Sequence, residues 1–262
     1  MIQLFPFAPT TDSGETEPID DVNAAVAAEP RPDGRPRPWV LTNMIASADG
    51  GTAVDGLSGG LGGPGDKAMF RALRAVADVI LVGAATVREE GYRPPTQPPA
   101  IRERREADGR DADPRVVVVT GSLGLDPDLE LFADPTNRPM VATVSGAPAD
   151  RRAALEPVAE VVDVDDGAGG VDLGRLLELL GERGVRTVLA EGGPSLNGQL
   201  IADGLIDEWN LTLSPHLLGG PSRRAAVGPV DGGPPPAMRL QRIWTDDDYL
   251  FCRWVRQGPA NA

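Results

Sequence analysis

Residues 190–200, AEGGPSLNGQL, place a carboxylate, two glycines and a hydroxyl directly behind an apolar run. The run VRTVLA (185–190) predicts a buried strand, and the pattern after Pro194 predicts a helix. A helix that begins just behind a strand points free backbone N–H groups at an anion bound there. Ser195 can cap this helix or bond a phosphate. The stretch alone leaves two interpretations open, an ordinary tight turn and a phosphate-binding loop.

A second junction of the same kind lies in VGAATVRE, residues 82–89. Gly83 and the alanines after it let a ligand approach the backbone closely. The pattern is not G-x-G-x-x-G, so an ordinary Rossmann dinucleotide site is not supported. Ligands of open α/β sheets bind beyond the carboxyl ends of the strands, which is where both junctions are predicted to lie.

Asp49 follows the predicted strand WVLTNMIA (39–46) and opens a glycine-dense segment, residues 49–66. One interpretation is an Asp-Gly turn that joins two strands. The functional interpretation is a buried carboxylate in a cleft, with a raised pKa that lets it donate a proton near neutrality. We take Asp49 as the first candidate for a catalytic acid and Glu191 as the second. For Glu191 the alternative is a salt bridge to a nearby arginine.

Arg74 lies four residues after Phe70 in the helical pattern PGDKAMFRALRAVAD, residues 64–78. This spacing puts Arg74 beside the apolar stripe of the helix and favours a binding role over a solvated helix face. The chain has one histidine, His216, and one cysteine, Cys252. A zinc site built from Cys and His is therefore excluded, and we predict no metal site.

The bulk composition restricts the class of protein. A formal net charge of −14 argues against a nucleic-acid partner, although a small phosphorylated ligand needs only a few local donors. No apolar stretch of about 18 residues is present, so no membrane span is expected. The start, MIQLFPFAPT, lacks a basic region typical of a signal peptide. A lone cysteine gives no disulfide framework, and we expect a cytoplasmic protein.

The pattern along the chain predicts one α/β domain. Residues 1–37 are interpreted as an extended or disordered arm, although its apolar start, Met1 to Phe7, could dock on the body. Residues 38–257 are interpreted as a single domain and 258–262 as a flexible tail. Strands and helices alternate over 79–203, which predicts a mostly parallel sheet with helices on both faces. The polar, proline-rich segment 91–114 predicts a long surface loop. Residues 238–256 predict a C-terminal antiparallel hairpin around Asp246–Asp248.

Taken in order, five segments resemble one family: NMIASADGGTA, LSGG, LRAVADVILVGAATV, LAEGGPSL and LIDEWNLTLSP. They resemble the C-terminal reductase domain of the bacterial RibD family over about residues 39–255. The resemblance implies a dihydrofolate-reductase-like fold and an NADPH-dependent pyrimidine reductase of riboflavin biosynthesis, acting as a homodimer. The implied reaction transfers hydride to ribose C1′ of the ring-opened 5-amino-6-ribosylamino-uracil 5′-phosphate.

The resemblance and the two junctions together assign individual residues. Ser58, Arg74 and Glu191 match substrate-contacting positions. The predicted cofactor-binding residues are Asn43, Ala46, Gly60, Gly83, Thr86, Glu90, Gly192, Gly193, Pro194, Ser195 and Leu196. Thr120 and Ser122, at the end of the predicted strand RVVVVT (115–120), are candidate hydroxyl donors to the cofactor 2′-phosphate, and an arginine from 102–110 is the alternative.

Two departures from the family bear on the substrate. The H-x-E and P-C-x-x-C motifs of its zinc deaminase are absent, so the chain does not deaminate in that way. TVREEGYRPPTQPP (86–99) replaces a D-P-x-L-T-x-R segment that helps hold the substrate phosphate. Gln97 stands near the position of the final arginine, and Arg93 is a candidate substitute. The alternatives are therefore a reductase of dihydrofolate (a pterin) or another heterocycle, and a non-catalytic NADPH-binding homologue.

Overall fold

A single ten-stranded sheet runs through the computed structural model, which describes residues 1–6, 18–32, 34–228 and 234–257. The spatial order is β1-β9-β10-β8-β2-β7-β3-β4-β5-β6. The strands are β1 (Ile2–Phe5), β2 (Trp39–Ser47), β3 (Val79–Gly83), β4 (Arg115–Val119), β5 (Met140–Thr143), β6 (Glu160–Asp163), β7 (Thr187–Ala190), β8 (Glu208–Ser214), β9 (Met238–Asp246) and β10 (Tyr249–Arg256). All pairs from β8 to β6 are parallel, and β10, β9 and β1 add antiparallel strands. The predicted α/β fold class is confirmed.

Within the described residues, seven helices cover the sheet. They are α1 (Val22–Ala27), α2 (Pro64–Val76), α3 (Ala84–Glu90), α4 (Pro99–Ala107), α5 (Ala149–Leu155), α6 (Leu173–Glu182) and α7 (Pro194–Ala202), with short 3₁₀ turns at Ser58–Leu61 and Glu130–Phe132. Alternate side chains of a strand face opposite sides of the sheet. Accordingly Val40 and Val188 belong to one buried core, and Leu41 and Leu189 belong to the other. No described helix combines the length and apolarity needed to cross a membrane.

Local signals in the sequence explain where several elements begin and end. Pro64 occupies the first turn of α2, where its missing N–H costs nothing. The carboxylate of Asp172 caps α6 by accepting from the Arg175 N–H at 2.8 Å. Asp247 and Asp248 both have positive φ, 48° and 65°, which is the two-residue turn that suits the twist of a hairpin. The predicted C-terminal hairpin is confirmed.

The N-terminal segment packs on the body wherever it is described. β1 pairs with β9, and α1 contacts α2. Arg31 donates to both carboxylate oxygens of buried Glu208, at 2.9 and 3.1 Å. The prediction of an extended or disordered arm is therefore wrong for residues 18–32, whereas the docking of the apolar start, left open by the sequence, is what residues 1–6 show. Residues 7–17, residue 33 and the predicted tail 258–262 lie outside the described residues.

The predicted long surface loop at 91–114 contains a helix, α4. The cause is Arg105, whose guanidinium is buried and donates to the carbonyls of Ala75, Ala77 and Asp111 at 2.9, 2.6 and 2.9 Å. These contacts tie α4 to the end of α2. Because the Ala75 and Ala77 carbonyls are distant in sequence from Arg105, the local pattern of polar residues and prolines did not reveal the helix.

Candidate active site

The two glycine junctions meet at the carboxyl ends of β3 and β7. The Gly83 N–H donates to the Gly192 carbonyl at 2.7 Å. Gly193 lies so close to α3 that an added Cβ would sit 2.6 Å from Thr86 Oγ1. A side chain at position 193 would therefore displace the Thr86 hydroxyl. The prediction that both junctions share one edge of the sheet is confirmed.

A cleft with two connected compartments lies at this edge. The first, about 320 Å³, is lined by residues that include Asn43, Ser58, Asp66, Phe70, Arg74, Glu90, Tyr92 and Glu191. The second, about 480 Å³, is lined by Gly83, Ala85, Ser195, Leu196 and Val227 among others. Five residues line both compartments: Thr86, Glu89, Gly193, Pro194 and Arg223. The junctions therefore form the boundary between the two.

Glu191 is bound by two partners in the first compartment. Arg74 donates to both of its oxygens, Nε to Oε1 and Nη2 to Oε2, each at 2.7 Å. The Tyr92 hydroxyl also donates to Oε2, at 2.5 Å. The salt bridge left open as the alternative for Glu191 is thus what forms. Both oxygens of Glu191 accept hydrogen bonds that orient Arg74 and Tyr92, and its roles as an acid and as a substrate contact stay predictions.

The electrostatics of this group keep its donors protonated. Burial opposes the charged form of Arg74, but the hydrogen bonds and charge of Glu191 outweigh it and raise the pKa of the guanidinium. Burial and then the charge of Glu191 raise the pKa of Tyr92 well above its usual range. The guanidinium also stacks on Phe70, 4.1 Å from the ring centroid. The group therefore presents a fixed cation and a neutral phenol to the cleft.

Ser58 and Glu90, predicted to contact substrate and cofactor, are hydrogen-bonded to each other. Glu90 Oε1 accepts from the Ser58 hydroxyl at 3.0 Å and from its backbone N–H at 3.1 Å. Both residues line the first compartment. Gly60, two residues further, instead approaches Val54, and an added Cβ would lie 3.0 Å from the Val54 Cβ. Gly60 is not among the residues that line either compartment.

The proposed acid role of Asp49 is wrong. Its side chain is exposed, and it accepts from the Ser47 hydroxyl at 2.5 Å and from the backbone N–H groups of Leu218 and Gly219 at 3.1 and 2.7 Å. These hydrogen bonds, led by that of Ser47, lower the pKa of Asp49 to about 2. A carboxyl with that pKa holds no proton near neutrality. Asp49 lines neither compartment and fixes the loop after β8.

Several predicted cofactor residues lie apart from the two compartments. Ala46 lines a neighbouring apolar groove that shares Thr52 and Ala225 with the first compartment. Gly192 lines neither compartment, and its carbonyl accepts a hydrogen bond from the Gly83 N–H. Thr120 is buried, and its hydroxyl accepts the N–H groups of Ser122 and Leu123 at 3.3 and 3.1 Å. Thr120 and Ser122 shape a turn after β4, and their role toward a 2′-phosphate stays a prediction.

Neither of the positions considered for the substrate phosphate lines the cleft. Gln97 is 6% exposed, and its N–H donates to Asp113 at 2.7 Å. Arg93 forms an exposed ion pair with Glu130 at 2.7 Å. Two of the arginines of 102–110 are also remote, because Arg105 and Arg110 bind carbonyls at the end of α2, before β3 begins. The alternative of a 2′-phosphate contact from that range is therefore wrong for these two arginines.

The residues of the first compartment that sequence reasoning missed include Asp66, Lys67, Tyr92 and Arg223. Asp66 had a detectable signal, since it precedes Phe70 by four residues and Arg74 by eight, which places it on the same face of α2. Tyr92 and Arg223 lie on irregular segments, where no periodic pattern marks orientation. Among the described residues, no group of three or more His, Cys, Asp or Glu side chains is placed to bind a metal ion.

The chain is similar to known reductases. A model of the RibD C-terminal domain matches residues 38–251. The chain is 32% identical over 185 residues to the 2,5-diamino-6-ribosylamino-4(3H)-pyrimidinone 5′-phosphate reductase of Archaeoglobus fulgidus, across 70% of this chain and 83% of that one. It is 31% identical over 226 residues to the Methanothermobacter thermautotrophicus protein of the same name, across 85% and 100%. A pyrimidine reductase-like protein of Corynebacterium diphtheriae matches with a TM-score of 0.77 and 27% identity, across 85% and 93%.

Proposed function

Because the chain belongs to the family of RibD C-terminal domains, we propose that it is an NADPH-dependent reductase of a ribosylamino-pyrimidine 5′-phosphate. Its relatives are named as pyrimidine reductases, and the chain is an oxidoreductase. One observation supports both NADPH as the cofactor and a ribosylamino-pyrimidine 5′-phosphate as the substrate. The two glycine junctions meet beside the Arg74–Glu191 pair. One continuous cleft then serves both a cofactor and a substrate.

The second compartment suits the pyrophosphate of a dinucleotide. Gly193 leaves open the space that a side chain would fill, and the backbone N–H groups that open α7 have no partner within the helix. When bound, NADPH supplies the hydride. Thr86 and Gly193 border both compartments, so the nicotinamide end belongs at this boundary. Arg74, held by Glu191 and Tyr92, then faces the substrate from the first compartment.

We place the 2′-phosphate of NADPH beside Ser122, at the carboxyl end of β4. Arg151 of α5 already lies there and donates to the Ser122 carbonyl at 3.0 Å. An arginine next to a free hydroxyl suits a phosphate monoester. Arg151→Ala is expected to weaken NADPH binding and leave NADH binding unchanged. Equal loss for both cofactors would contradict this placement.

For the substrate 5′-phosphate we propose Lys67 and Arg223. Lys67 is the single lysine of the chain, and both cations line the first compartment. Arg223 is exposed and pairs with Glu89 at 3.2 Å, a contact that a phosphate can displace at little cost. In the family an arginine near the position of Gln97 helps hold the substrate phosphate. Lys67 and Arg223 would bind the phosphate in its place. The base is either the 2-amino-4-oxopyrimidine named for the relatives or the uracil expected from the sequence.

The experiment that tests the proposal measures NADPH oxidation with each ribosylamino-pyrimidine phosphate and with dihydrofolate. We expect turnover with a ribosylamino-pyrimidine phosphate and greater thermal stabilisation by NADPH than by NADH. Arg74→Gln should abolish turnover while cofactor binding persists. Arg71→Gln, on the exposed side of α2, is the matched control and should retain activity. Turnover of dihydrofolate alone would favour the pterin alternative, and stabilisation by neither cofactor would remove the proposal.

We also propose a homodimer, on the basis of β8. Its polar residues Glu208, Asn210, Thr212 and Ser214 are buried, whereas its apolar residues are only half-buried. The apolar side faces a groove of about 450 Å³ lined by Ile206, Trp209, Leu211, Leu213, Pro236 and Met238 among others. An apolar sheet face of this kind suits a second copy of the chain. Light scattering should give the mass of a dimer, and Leu211→Glu should give a monomer.

A further inference from the structure

A glycine-rich turn forms part of the wall of the first compartment. Residues 58–63, SGGLGG, contain one 3₁₀ turn and lead directly into α2. Ser58, Gly59 and Gly62 line the compartment, whereas Leu61 is 1% exposed. Because glycine has more backbone freedom than other residues, a turn of this composition needs contacts that restrict it. Those contacts decide whether Ser58 is presented to the compartment in one position.

The Leu61 carbonyl accepts hydrogen bonds from two hydroxyl groups of the sheet. Ser214, the last residue of β8, donates to it at 2.9 Å, and Tyr249, the first residue of β10, donates at 3.1 Å. Both donors are buried, and neither lines the compartment. The Tyr249 ring also packs against Gly63, where an added Cβ would lie 3.0 Å from the ring. The two strands therefore hold the turn through residues outside the compartment.

His216 orients the Ser214 hydroxyl. Its Nδ1 lies 2.6 Å from Ser214 Oγ, and its ring meets the Tyr249 ring edge-on, with 6.4 Å between centroids. The Ser214 hydroxyl has one hydrogen, and the Leu61 carbonyl can only accept. That hydrogen is directed to Leu61, so Nδ1 of His216 carries a hydrogen and donates it to Ser214. Neutral His216 is therefore the Nδ1–H tautomer.

We propose that Ser214, Tyr249 and His216 are positioning residues that act through Ser58 on substrate binding. This inference rests on the reductase function proposed above and on the predicted contact of Ser58 with the substrate. The Ser58 hydroxyl is bound to a carboxylate of α3, and the Leu61 carbonyl is bound to the sheet, so both ends of the 3₁₀ turn are fixed.

Loss of one hydroxyl at Leu61 releases one end of the turn. Ser58 then samples conformations that do not contact the substrate, and substrate affinity falls. The second compartment, where the cofactor pyrophosphate is proposed, is not lined by Ser58 or by the turn that follows it. Cofactor affinity is therefore expected to stay at its native value.

A double-mutant cycle tests whether these residues act through Ser58. Tyr249→Phe removes one hydroxyl and keeps the ring, and Ser214→Ala removes the other hydroxyl. Each should raise KM for the ribosylamino-pyrimidine phosphate roughly 3- to 10-fold, with kcat and the Kd for NADPH unchanged. In a Ser58→Ala background neither change should raise KM further. Additive losses, or a native KM in the single variants, would overturn the proposal.

Ser145→Ala is the matched control for the loss of a hydroxyl. Ser145 follows β5 and donates to Asp165 at 3.2 Å, far along the sheet from the 3₁₀ turn. This variant should keep the native KM for the substrate. A rise equal to that of Ser214→Ala would show that the effect does not depend on Leu61, and would overturn the proposal.

His216 supplies an independent readout, because it is the single histidine of the chain. Its ring nitrogens give one pair of NMR resonances, which should show the Nδ1–H tautomer at about pH 8, where an ordinary histidine is neutral. His216→Asn keeps an N–H donor on the side chain and should retain the native KM, whereas His216→Ala should raise it. The Nε2–H tautomer, or equal KM values in the two variants, would overturn the role of His216.

A binding measurement separates this inference from the proposed function. The ribosylamino-pyrimidine phosphate is titrated calorimetrically into the native chain and into Tyr249→Phe, both saturated with NADP⁺. Weaker binding to the variant, without turnover by either protein when NADPH is supplied, would overturn the reductase proposal and leave the positioning role standing. Turnover by the native chain with equal binding to both proteins would overturn only the positioning role. Absence of binding to the native chain would overturn both.

Discussion

Replacement of Glu208 by Gln tests the cluster that joins the N-terminal segment to the sheet. Glu208 is fully buried on β8 and accepts from Arg31, Arg253, the Trp39 indole and the Asn210 amide, at 2.9–3.1 Å. Gln removes the charge and leaves the shape nearly unchanged. Arg31 and Arg253 then lose the charge of Glu208 and keep Glu29 as their remaining carboxylate partner, so the variant measures the pairing to Glu208.

The magnitude follows from the protonation of Glu208. Burial alone would raise its pKa, but Arg31 and Arg253 outweigh burial and lower the pKa from 4.5 to about 2. At about 1.4 kcal/mol per pKa unit, this amounts to about 3 kcal/mol of stability. Because the folded pKa lies below the unfolded one, the contribution is fully present above about pH 4.5 and is lost as the pH falls toward about 2. Removing one partner of a buried pair costs a similar amount, about 3–5 kcal/mol.

Urea unfolding followed by tryptophan fluorescence measures both effects. Glu208→Gln should lower the free energy of unfolding by about 3 kcal/mol near neutrality and flatten its decline between about pH 4.5 and 2. Asp163→Asn is the control, because Asp163 pairs with Arg152 at 2.5 Å but is 43% exposed. That pair is expected to contribute under about 1 kcal/mol. If Glu208→Gln costs no more than the control, or keeps the native acid dependence, the reasoning fails.

Three further variants test local packing. Gly198→Ala should lower the melting temperature although helix propensity favours Ala by about 1 kcal/mol, because the added Cβ would overlap the Val227 carbonyl; a higher melting temperature would contradict the contact. Arg105→Met should cost about 2 kcal/mol or more in urea unfolding, since it leaves three backbone carbonyls without their donor; a cost under about 0.5 kcal/mol would argue against it. Asp49→Asn should retain kcat and its pH profile but increase proteolysis at 216–220, and a large fall in kcat would restore its rejected acid role.

The elements with strong periodicity were predictable from the sequence. The alternation over 79–203 predicted the parallel sheet, since apolar strands between amphipathic helices have no other compact arrangement. The junctions at Gly83 and Gly193 were predicted to share an edge because parallel strands end on the same side. Arg74 was assigned to the cleft from its spacing to Phe70. Each of these inferences depends on neighbours within a few residues or on a rule of sheet topology.

The sequence by itself determined the order of strands and helices over 115–203, the two glycine junctions and the composition of the α2 face. Only the tertiary structure decided which aspartate lies in the cleft. Asp49 and Asp66 both stand in glycine-rich stretches, and although the spacing of Asp66 to Phe70 and Arg74 marks a shared face of α2, it does not show the burial or the partners of either carboxylate. Asp49 meets the backbone N–H groups of the loop after β8 and stays exposed and ionised, whereas Asp66 meets Thr212 in a half-buried wall of the cleft. Burial and hydrogen-bond partners set the pKa of a carboxyl, and both come from residues far along the chain.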